Sequence, residues 1–447
     1  MTTDVVVIGA GPAGAAAAIT AARSGRSVTI VDRAGPDAPH LPETWEGARA
    51  DLLADLGVTG LAELFLHRHR VHVSAPDGTR WATVEVSAGG QGVPPTARLD
   101  RTRFDAALAD AAAAAGVVHL RGHTVDTVDP GAGGDPASGT SGGEPILSGS
   151  RADGSRWSLR GRFVVDASGK SATLGRALGL YRPGRQLDPR QAVFSHWEIE
   201  ADRSDTLAAA GTTSIVVLDG GYAFVIPLGG RRVSVGIVLG TDTASRAAAA
   251  RHAKAAGRSG EPGAADSCGP AAVLAAVIAD TPVLARLLAG ARQLLPAIPA
   301  MNETFTCVPA ASRWYALAGD AAGFDDPFLQ RGVDTALASG LRAGGLSILA
   351  TDPSASAQAA VLAYQDWLTA DRAAASTHAY DAAARDWRSS VAGLLADPHL
   401  PSFVPLAGLM GLATTTGRGP ASAGPATPDA GQLRELLAEA RATYASW

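Results

Sequence analysis

Three glycines with a defined spacing lie near the start of the chain and could bind a phosphate. Gly9, Gly11 and Gly14 follow the apolar run Val5–Ile8 and precede the alanine-rich stretch Ala15–Ala22. In a strand–turn–helix unit, the first glycine permits a tight turn, the second lets the backbone approach a pyrophosphate, and the third lets the helix pack on the strand. The N–H groups at the start of that helix attract the anion. The spacing therefore predicts a dinucleotide-binding turn between a buried strand and a helix.

An acidic residue completes this fingerprint. Asp32 ends a second apolar strand, Ser27–Val31, where a carboxylate about 20 residues beyond the glycines accepts a hydrogen bond from a ribose hydroxyl. Asp32 would repel a 2′-phosphate on that ribose. A signal peptide is a poor alternative, because Met1–Asp4 carries a negative charge. A spanning helix is also disfavoured, since a Gly-Pro-Ala-Gly stretch interrupts the apolar run.

Three stretches further along the chain extend the prediction to a longer cofactor. Arg101 lies at the start of a helical pattern, Asp166 opens the stretch DASGK, and Gly319 and Asp320 lie in the stretch ALAGDAAGF. Each alone is an ordinary helix start or turn. In this order after the fingerprint, they predict FAD, with Asp320 accepting a hydrogen bond from the ribityl chain and the helix after Gly332 directing its positive end at the flavin. No second GxGxxG occurs, which disfavours a reductase with separate FAD and NADPH sites.

Composition narrows the partners and the location. The chain has 447 residues and a formal net charge of −5, and its only lysines are Lys170 and Lys254, so a nucleic-acid partner is not expected. Its only cysteines, Cys268 and Cys307, form neither a CxxC pair nor a metal-ligand spacing, so we expect no disulfide framework and no metal site. Two reduced thiols are typical of a cytoplasmic protein. No later segment is long and apolar enough to span a bilayer.

The order of the predicted elements indicates an α/β fold. It comprises a discontinuous Rossmann-type FAD-binding domain, a mixed-sheet substrate domain and a helical C-terminal region. The predicted parts of the FAD-binding domain are residues 1–75, 98–180 and 299–350. The predicted substrate domain comprises residues 76–97 and 181–298, and the C-terminal region is 351–447 with a linker at 414–428.

Three further stretches carry a family resemblance. They are LPETWEGARADLLADLG from Leu41, GGYAFVIPL from Gly220 and GFDDPFLQRG from Gly323. With the FAD motifs, over about residues 4–345, the chain resembles FAD-dependent monooxygenases built like p-hydroxybenzoate hydroxylase. It is more closely similar to their tryptophan-halogenase-like and geranylgeranyl-reductase-like relatives. Among these it looks most like the flavoproteins that hydroxylate a peptidyl tryptophan in tryptophylquinone biogenesis, as for quinohemoprotein amine dehydrogenase.

The chain departs from these families at positions that decide activity. Flavin halogenases depend on a lysine that captures hypohalous acid, and residues 43–110 contain none. Halogenases also carry small hydroxyl residues where this chain has Gln330 and Arg331, and prenyl reductases carry a basic residue where it has Leu228. The resemblance therefore implies hydroxylation of an aromatic substrate through a flavin C4a-hydroperoxide. An FAD-dependent reductase or dehydrogenase of a lipid or specialised metabolite, and a non-catalytic flavin-binding assembly protein, remain alternatives.

The resemblance also implies roles for individual residues. The expected catalytic residues are His196, Arg331 and Glu43, and the expected substrate residues are Trp45, Trp197, Tyr222, Phe224 and Phe328. The expected cofactor residues are Gly9, Gly11, Pro12, Ala13, Gly14, Asp32, Arg33, Arg101, Thr124, Val125, Asp166, Gly169, Gly319, Asp320, Pro327, Gln330, Gly332 and Val333. A strand histidine, a pair of aromatic residues or an arginine in a turn can equally be structural. We expect non-covalent FAD, O₂, electrons from reduced nicotinamide or a separate reductase, and an aromatic substrate that is free or carried by a protein.

Overall fold

A computed structural model describes residues 2–33, 43–46, 50–58, 65–67, 70–79, 81–85, 96–99, 101–131, 143–184, 190–203, 212–218, 221–240, 269–301, 304–324, 332–349 and 355–377. The strands in these residues are β1 Thr2–Ile8, β2 Val28–Asp32, β3 Glu43–Glu46, β4 Phe65–His67, β5 Arg70–Ser74, β6 Trp81–Glu85, β7 Thr96–Leu99, β8 Val118–Arg121, β9 His123–Asp129, β10 Ile146–Arg151, β11 Arg156–Asp166, β12 Tyr181–Pro183, β13 Arg190–Glu198, β14 Thr212–Leu218, β15 Gly221–Gly229, β16 Arg232–Gly240, β17 Arg292–Gln293, β18 Ile298–Met301, β19 Phe305–Cys307, β20 Tyr315–Leu317 and β21 Gly323–Phe324. The α-helices are α1 Pro12–Arg23, α2 Ala50–Asp55, α3 Arg101–Ala114, α4 Thr173–Ala177, α5 Pro270–Asp280, α6 Pro282–Leu287, α7 Gly332–Leu349 and α8 Ala355–Thr377. Short 3₁₀ turns lie at Gly169–Ser171 and Gly319–Ala321.

The first sheet has the strand order β8-β2-β1-β11-β10-β9, with β20 also paired to β11. Strands β8, β2, β1, β11 and β20 are mutually parallel, whereas β10 is antiparallel to both β11 and β9. β1 lies in the middle of the sheet because its residues from Val5 to Ile8 are apolar and at most 4% exposed, as a strand covered on both faces requires. This arrangement places the carboxyl ends of the parallel strands along one edge.

Helices α1 and α7 pack closely against each other beside this sheet. A Cβ on Gly340 of α7 would overlap the carbonyl oxygen of Ala13, and a Cβ on Gly344 would overlap that of Ala17. Because both positions are glycine, the two helix backbones can approach closely. The N-terminus of α1 is thereby fixed against α7.

The long helix α8 is hydrogen-bonded to the same part of the molecule. The Tyr364 hydroxyl donates to the Leu317 carbonyl at 2.6 Å, and the Gln365 amide donates to the Ala311 carbonyl at 2.9 Å. Arg372 donates to the carbonyl of Phe305 at 3.2 Å. Helix α8 therefore packs on the segment that leads into the Gly319–Ala321 turn.

The second sheet has the strand order β17-β13-β16-β15-β14-β5-β6, with β18 also paired to β13. One face of this sheet is covered by α5 and α6, whose apolar residues form a core with alternate residues of β13, β14, β15 and β16. The residues between them point to the opposite face, because neighbouring side chains on a strand alternate. Strand β5 pairs with β14, so this sheet includes Arg70–Ser74, and the predicted domain boundary at residue 75 stays a prediction.

A small sheet of β3, β7 and β4 lies near the first layer, with β3 beside α7. Within the described part of the chain, no helix combines the length and the apolar character needed to cross a membrane.

Candidate cofactor and substrate site

A cavity of about 470 Å³ opens at the carboxyl ends of β1, β2 and β11. Ligands of open α/β sheets bind at this edge. The predicted cofactor residues that line the cavity are Gly9, Gly11, Pro12, Ala13, Asp32, Arg33, Arg101, Thr124, Val125, Gly169, Gly319, Asp320, Gly332 and Val333. The structure thus brings together segments that are more than 300 residues apart in the sequence.

The glycine turn has the geometry that the spacing predicts. Gly9 has φ +97°, a conformation that favours glycine, and its N–H donates to the Val31 carbonyl at 2.8 Å. A Cβ on Gly14 would overlap the carbonyl oxygen of Gly9, so Gly14 does not line the cavity but lets α1 approach the turn. A Cβ on Gly11 would meet no protein atom within 4 Å and would enter the cavity. Gly11 therefore leaves room for a ligand and not for a neighbouring element.

Asp32 lies at one end of the cavity beside a histidine that sequence reasoning missed. His119 Nε2 is 3.9 Å from the Asp32 carboxylate, and both residues line the cavity. Burial is the main cause that lowers the pKa of His119, and Arg121 lowers it further, whereas Asp32 opposes the shift. His119 is therefore mainly neutral near pH 7.

Asp320 lies in the turn Gly319–Ala321, which a buried serine holds in place. The N–H of Gly319 donates to Ser339 Oγ at 2.8 Å, and Ser339 Oγ donates to the Thr335 carbonyl at 2.6 Å. Ser339 is completely buried within the apolar face of α7. A serine on the otherwise apolar face of a helix is the sequence signal that could have predicted a hydrogen bond to the Gly319–Ala321 turn.

Arg101 forms an ion pair with an acid in the next turn of α3. Its guanidinium donates to the Asp105 carboxylate at 3.0 Å, and both residues line the cavity. Asp105 was missed because an acid four residues after an arginine is typical of any solvated helix. The pair fixes the direction of the Arg101 side chain at the cavity wall.

Asp166 differs from its predicted role as a direct cofactor ligand. Its side chain is 0% exposed and does not line the cavity. The carboxylate accepts backbone N–H groups of Ser168 at 3.0 Å, Leu174 at 2.7 Å and Gly175 at 3.3 Å. Burial raises the pKa of this carboxyl, and these hydrogen bonds oppose the rise. Asp166 shapes the turn that contains Gly169, and it is Gly169 that reaches the cavity.

The cavity residues fit an extended dinucleotide such as FAD. Space beside Gly11 and the N-terminus of α1 suits a pyrophosphate, because backbone N–H groups and the helix dipole favour an anion there. Asp32 and Asp320 supply carboxylates at separate parts of the lining, and Gly332 and Val333 bring the N-terminus of α7 to it. These are the features that two sugar-like groups joined by phosphates require.

The predicted substrate residues of the second sheet fall on two different faces. His196, Tyr222 and Phe224 point away from α5 and α6, and each is half-buried. Trp197 packs against the core beneath α5 and α6, because it is the neighbour of His196 on the same strand. The structure thus places Trp197 on the opposite face of β13 from His196, and its role in substrate binding stays a prediction.

The remaining predicted residues can be placed only in part. Glu43 and Trp45 lie in β3, where they pair with Leu99 and Ala97 of β7, and β3 is beside α7. Pro327, Phe328, Gln330 and Arg331 lie outside the described residues, as does the predicted linker 414–428.

A lysine contact at the edge of this region was also missed. The Lys170 ammonium group lies 3.8 Å from the centroid of the Phe324 ring. A cation at this distance over an aromatic face is attracted by the ring quadrupole. Lys170 follows the cavity residue Gly169, and Phe324 ends β21.

Residues 4–204 match the family described as FAD dependent oxidoreductase. The matched segment contains the glycine turn, Asp32 and Arg101. The match covers less than half of the chain and agrees with a dinucleotide such as FAD in the cavity. The predicted α/β fold with a Rossmann-type FAD-binding domain is confirmed.

Relatives of known function include reductases and a halogenase. The chain is 30% identical over 249 residues to the menaquinone reductase of Mycolicibacterium smegmatis, an alignment that covers 52% of this chain and 54% of that protein. It is 26% identical to the flavin-dependent halogenase armH3 of Armillaria mellea, over 77% of this chain and 66% of the halogenase. It is 28% identical to digeranylgeranylglycerophospholipid reductase 1 of Methanopyrus kandleri, over 82% of this chain and 86% of the reductase. The chain thus spans about half the length of the menaquinone reductase that it matches.

Solved structures share the fold over the full chain. A flavoprotein/dehydrogenase from Cytophaga hutchinsonii superposes with a TM-score of 0.70 at 20% identity, covering 99% of this chain and 100% of that one. The flavin-dependent brominase Bmp2 superposes with a TM-score of 0.66 at 21% identity and covers 100% of both chains. At these identities the similarity shows the fold alone.

Proposed function

Starting from its match to the FAD-dependent oxidoreductases, we propose that this protein is an FAD-dependent monooxygenase that hydroxylates an aromatic ring, and specifically an indole. The observation that carries the proposal is the face of the second sheet that is opposite to α5 and α6. There His196 lies beside Phe194, with ring centroids 5.9 Å apart, on the same face as Tyr222 and Phe224. An aromatic surface with one imidazole suits a planar ring that has a single polar edge.

Bound FAD, once reduced, supplies the chemistry that activates O₂. The chain's own residues have three tasks. The aromatic side chains hold the ring and exclude water from it. His196 accepts the proton of a ring N–H or O–H, which raises the nucleophilicity of the ring carbons. The turn at Gly319 and the N-terminus of α7 would hold the cofactor in the cavity.

Hydroxylation is proposed in preference to halogenation because of a sequence difference. The only lysines of the chain are Lys170 and Lys254, and neither lies within residues 43–110. Lys170 lies over the Phe324 ring and is placed by the turn that Asp166 organises. Residues that could trap hypohalous acid on the pattern of the halogenases are therefore missing from the sequence.

The finer proposal concerns the carrier of the indole. The resemblance to flavoproteins of tryptophylquinone biogenesis supports a tryptophan side chain within a polypeptide as the substrate. We expect a tryptophan-containing polypeptide to be hydroxylated well and free tryptophan poorly. Efficient hydroxylation of free tryptophan with no activity on any tested polypeptide would exclude the polypeptide substrate and leave a small-molecule monooxygenase.

Reduction of an isoprenoid or quinone substrate is the second candidate, and the alignments with two reductases favour it. An oxygen electrode separates the two functions. The monooxygenase predicts O₂ consumption that depends on the aromatic substrate and yields an oxygenated product. The reductase predicts reduction of a menaquinone or geranylgeranyl substrate by the reduced protein under anaerobic conditions, with no O₂ requirement.

A further inference from the structure

The face of the second sheet that carries His196 has an ordered pattern of residues across adjacent strands. Ser234 of β16 is the Cα partner of His196 on one side and of Ile226 on the other. Two residues along, Gly236 is the partner of Phe194 and Phe224. The polar pair His196 and Ser234, which is followed in the same row by Ile226, therefore lies next to an aromatic row.

The aromatic row is closely fitted. A Cβ on Gly236 would overlap the Phe224 ring, so this ring lies directly over the glycine backbone. Phe194, on the other side of Gly236, is 3% exposed and contacts the His196 ring. The two rings form an apolar surface beside the polar pair.

Two hydroxyl groups on this face are buried without a hydrogen-bond partner. Ser234 is 0% exposed and Thr213 is 6% exposed, and neither hydroxyl oxygen has a partner in the described structure. Thr213 shares the face because it lies two residues before Ile215, the Cα partner of Phe224. Burying a hydroxyl without a hydrogen bond is costly, so an unpartnered pair on one face points to a ligand that completes it.

A neighbouring serine shows what a structural hydroxyl looks like in this sheet. Ser195 is also 0% exposed, but it points to the opposite face, towards the core beneath α5 and α6. Its hydroxyl donates to the Leu295 carbonyl at 2.6 Å and accepts from the Gln293 amide at 3.0 Å. A completely buried serine of this sheet can thus have its hydroxyl satisfied within the protein, as Ser195 does, whereas the hydroxyl of Ser234 is not.

We infer that Ser234 recognises the polar edge of the substrate ring: its hydroxyl accepts a hydrogen bond from the N–H or O–H of the bound ring, before His196 takes that proton. Directly opposite residues on neighbouring strands have Cβ atoms about 4.5–5.5 Å apart, so one polar edge can reach both Ser234 and His196. The apolar body of the ring then lies over Phe194 and Phe224. The inference rests on the proposed function in taking this face as the place of the aromatic substrate, and it restricts that substrate to rings with a hydrogen-bond donor.

The test uses indole and benzofuran, which have the same shape but differ in the ring N–H. Binding to the purified holoprotein is measured by isothermal titration calorimetry, and thermal stability is measured beside it. Wild-type protein should bind indole more tightly than benzofuran. Ser234→Ala should weaken indole binding by about tenfold and leave benzofuran binding unchanged, because only indole loses a hydrogen bond. Its Tm should stay the same or rise, since the removed hydroxyl had no partner in the protein.

Ser195→Ala is the matched control and should lower the Tm without changing the preference for indole. Thr213→Val, which replaces the hydroxyl with a methyl group, extends the test to the second hydroxyl and should also keep the Tm. The inference is overturned if wild-type protein shows no preference for indole, or if Ser234→Ala weakens both ligands equally or neither. A preference for indole that Ser234→Ala abolishes, together with no oxygenated product from wild-type protein, would support the recognition site and reject hydroxylation.

Discussion

Gly11 lines the cavity with its backbone alone, because it has no side chain. Its conformation is extended, with φ −67° and ψ −176°, so other residues can adopt it, and a Cβ there would meet no protein atom within 4 Å. Gly11→Val should therefore leave the folded protein stable. It should lower FAD affinity by about 5- to 150-fold, because forcing a side chain into a close contact costs about 1–3 kcal/mol. The FAD-to-protein absorbance ratio and a flavin titration of the apoprotein measure this.

Gly345→Val is the control for that change. Gly345 lies in α7 away from the cavity lining, and its Cβ would also meet no protein atom within 4 Å. This variant should keep its FAD. Full FAD occupancy in Gly11→Val would show that the glycine turn does not contact the pyrophosphate.

His119 makes stability depend on pH. Because burial lowers its pKa from 6.5, the folded protein binds fewer protons at this residue than the unfolded chain does. The free energy of unfolding should therefore fall as the pH drops below about 6.5. We expect the Tm of the holoprotein to fall between pH 7.5 and 5.5, and to fall less in His119→Asn.

Other titratable groups contribute equally to the pH dependence of the Tm in the wild-type protein and in His119→Asn. Burial also lowers the pKa of His72, so the variant should retain part of the acid sensitivity. Arg121 and Asp32 are the charged groups that act on His119. An equal loss of Tm in wild-type and variant protein would show that His119 titrates alike in the folded and unfolded states.

Among the structural elements, the pair α1 and α7 determines where the glycine turn lies. Gly340→Ala places a methyl group against the Ala13 carbonyl, which must move. We expect this variant to lose about 1–3 kcal/mol of unfolding free energy, as overpacked cores do, and to bind FAD less tightly because the N-terminus of α1 shifts. Urea denaturation and flavin titration measure the two effects.

Gly345→Ala is the matched change in the same helix and should stabilise the protein by about 0.5–1 kcal/mol, since glycine is unfavourable within helices. If Gly340→Ala were as stable as Gly345→Ala, the contact between the two helix backbones would not be as close as the structure indicates.

Local sequence patterns predicted most elements but not those that depend on distant pairing. The alanine-rich stretch Arg103–Ala115 predicts a helix, and α3 spans Arg101–Ala114. The runs Trp157–Leu159 and Phe163–Val165 predict two strands, whereas β11 is one strand from Arg156 to Asp166. Its first half alternates between buried and exposed residues beside antiparallel β10, and its last four residues are fully buried among parallel strands. Because the pattern of apolar residues changes from alternating to continuous within β11, the sequence alone indicates two strands.

At the scale of the whole molecule, the sequence located the cavity but not its supports. Glycines and acids at fixed positions have local signatures, so the turn at Gly9, Asp32 and Asp320 could be predicted. Ser339 could not, because its role depends on which elements meet in the folded chain, and Asp105 could not, because an acid four residues after an arginine is common in any solvated helix. For Asp166 the sequence predicts a cofactor ligand, whereas its hydrogen bonds run to the backbone of the turn and helix that follow it.

The central claim is that the protein inserts oxygen into an aromatic ring and does not halogenate or merely reduce its substrate. The most direct measurement supplies reduced holoprotein with ¹⁸O₂, bromide and either indole or a tryptophan-containing peptide, followed by mass spectrometry of the products. The account predicts a product that gains one or more ¹⁸O atoms and no bromine. A brominated product, or conversion of a menaquinone or geranylgeranyl substrate under anaerobic conditions with no ¹⁸O product from the ring compounds, would contradict it.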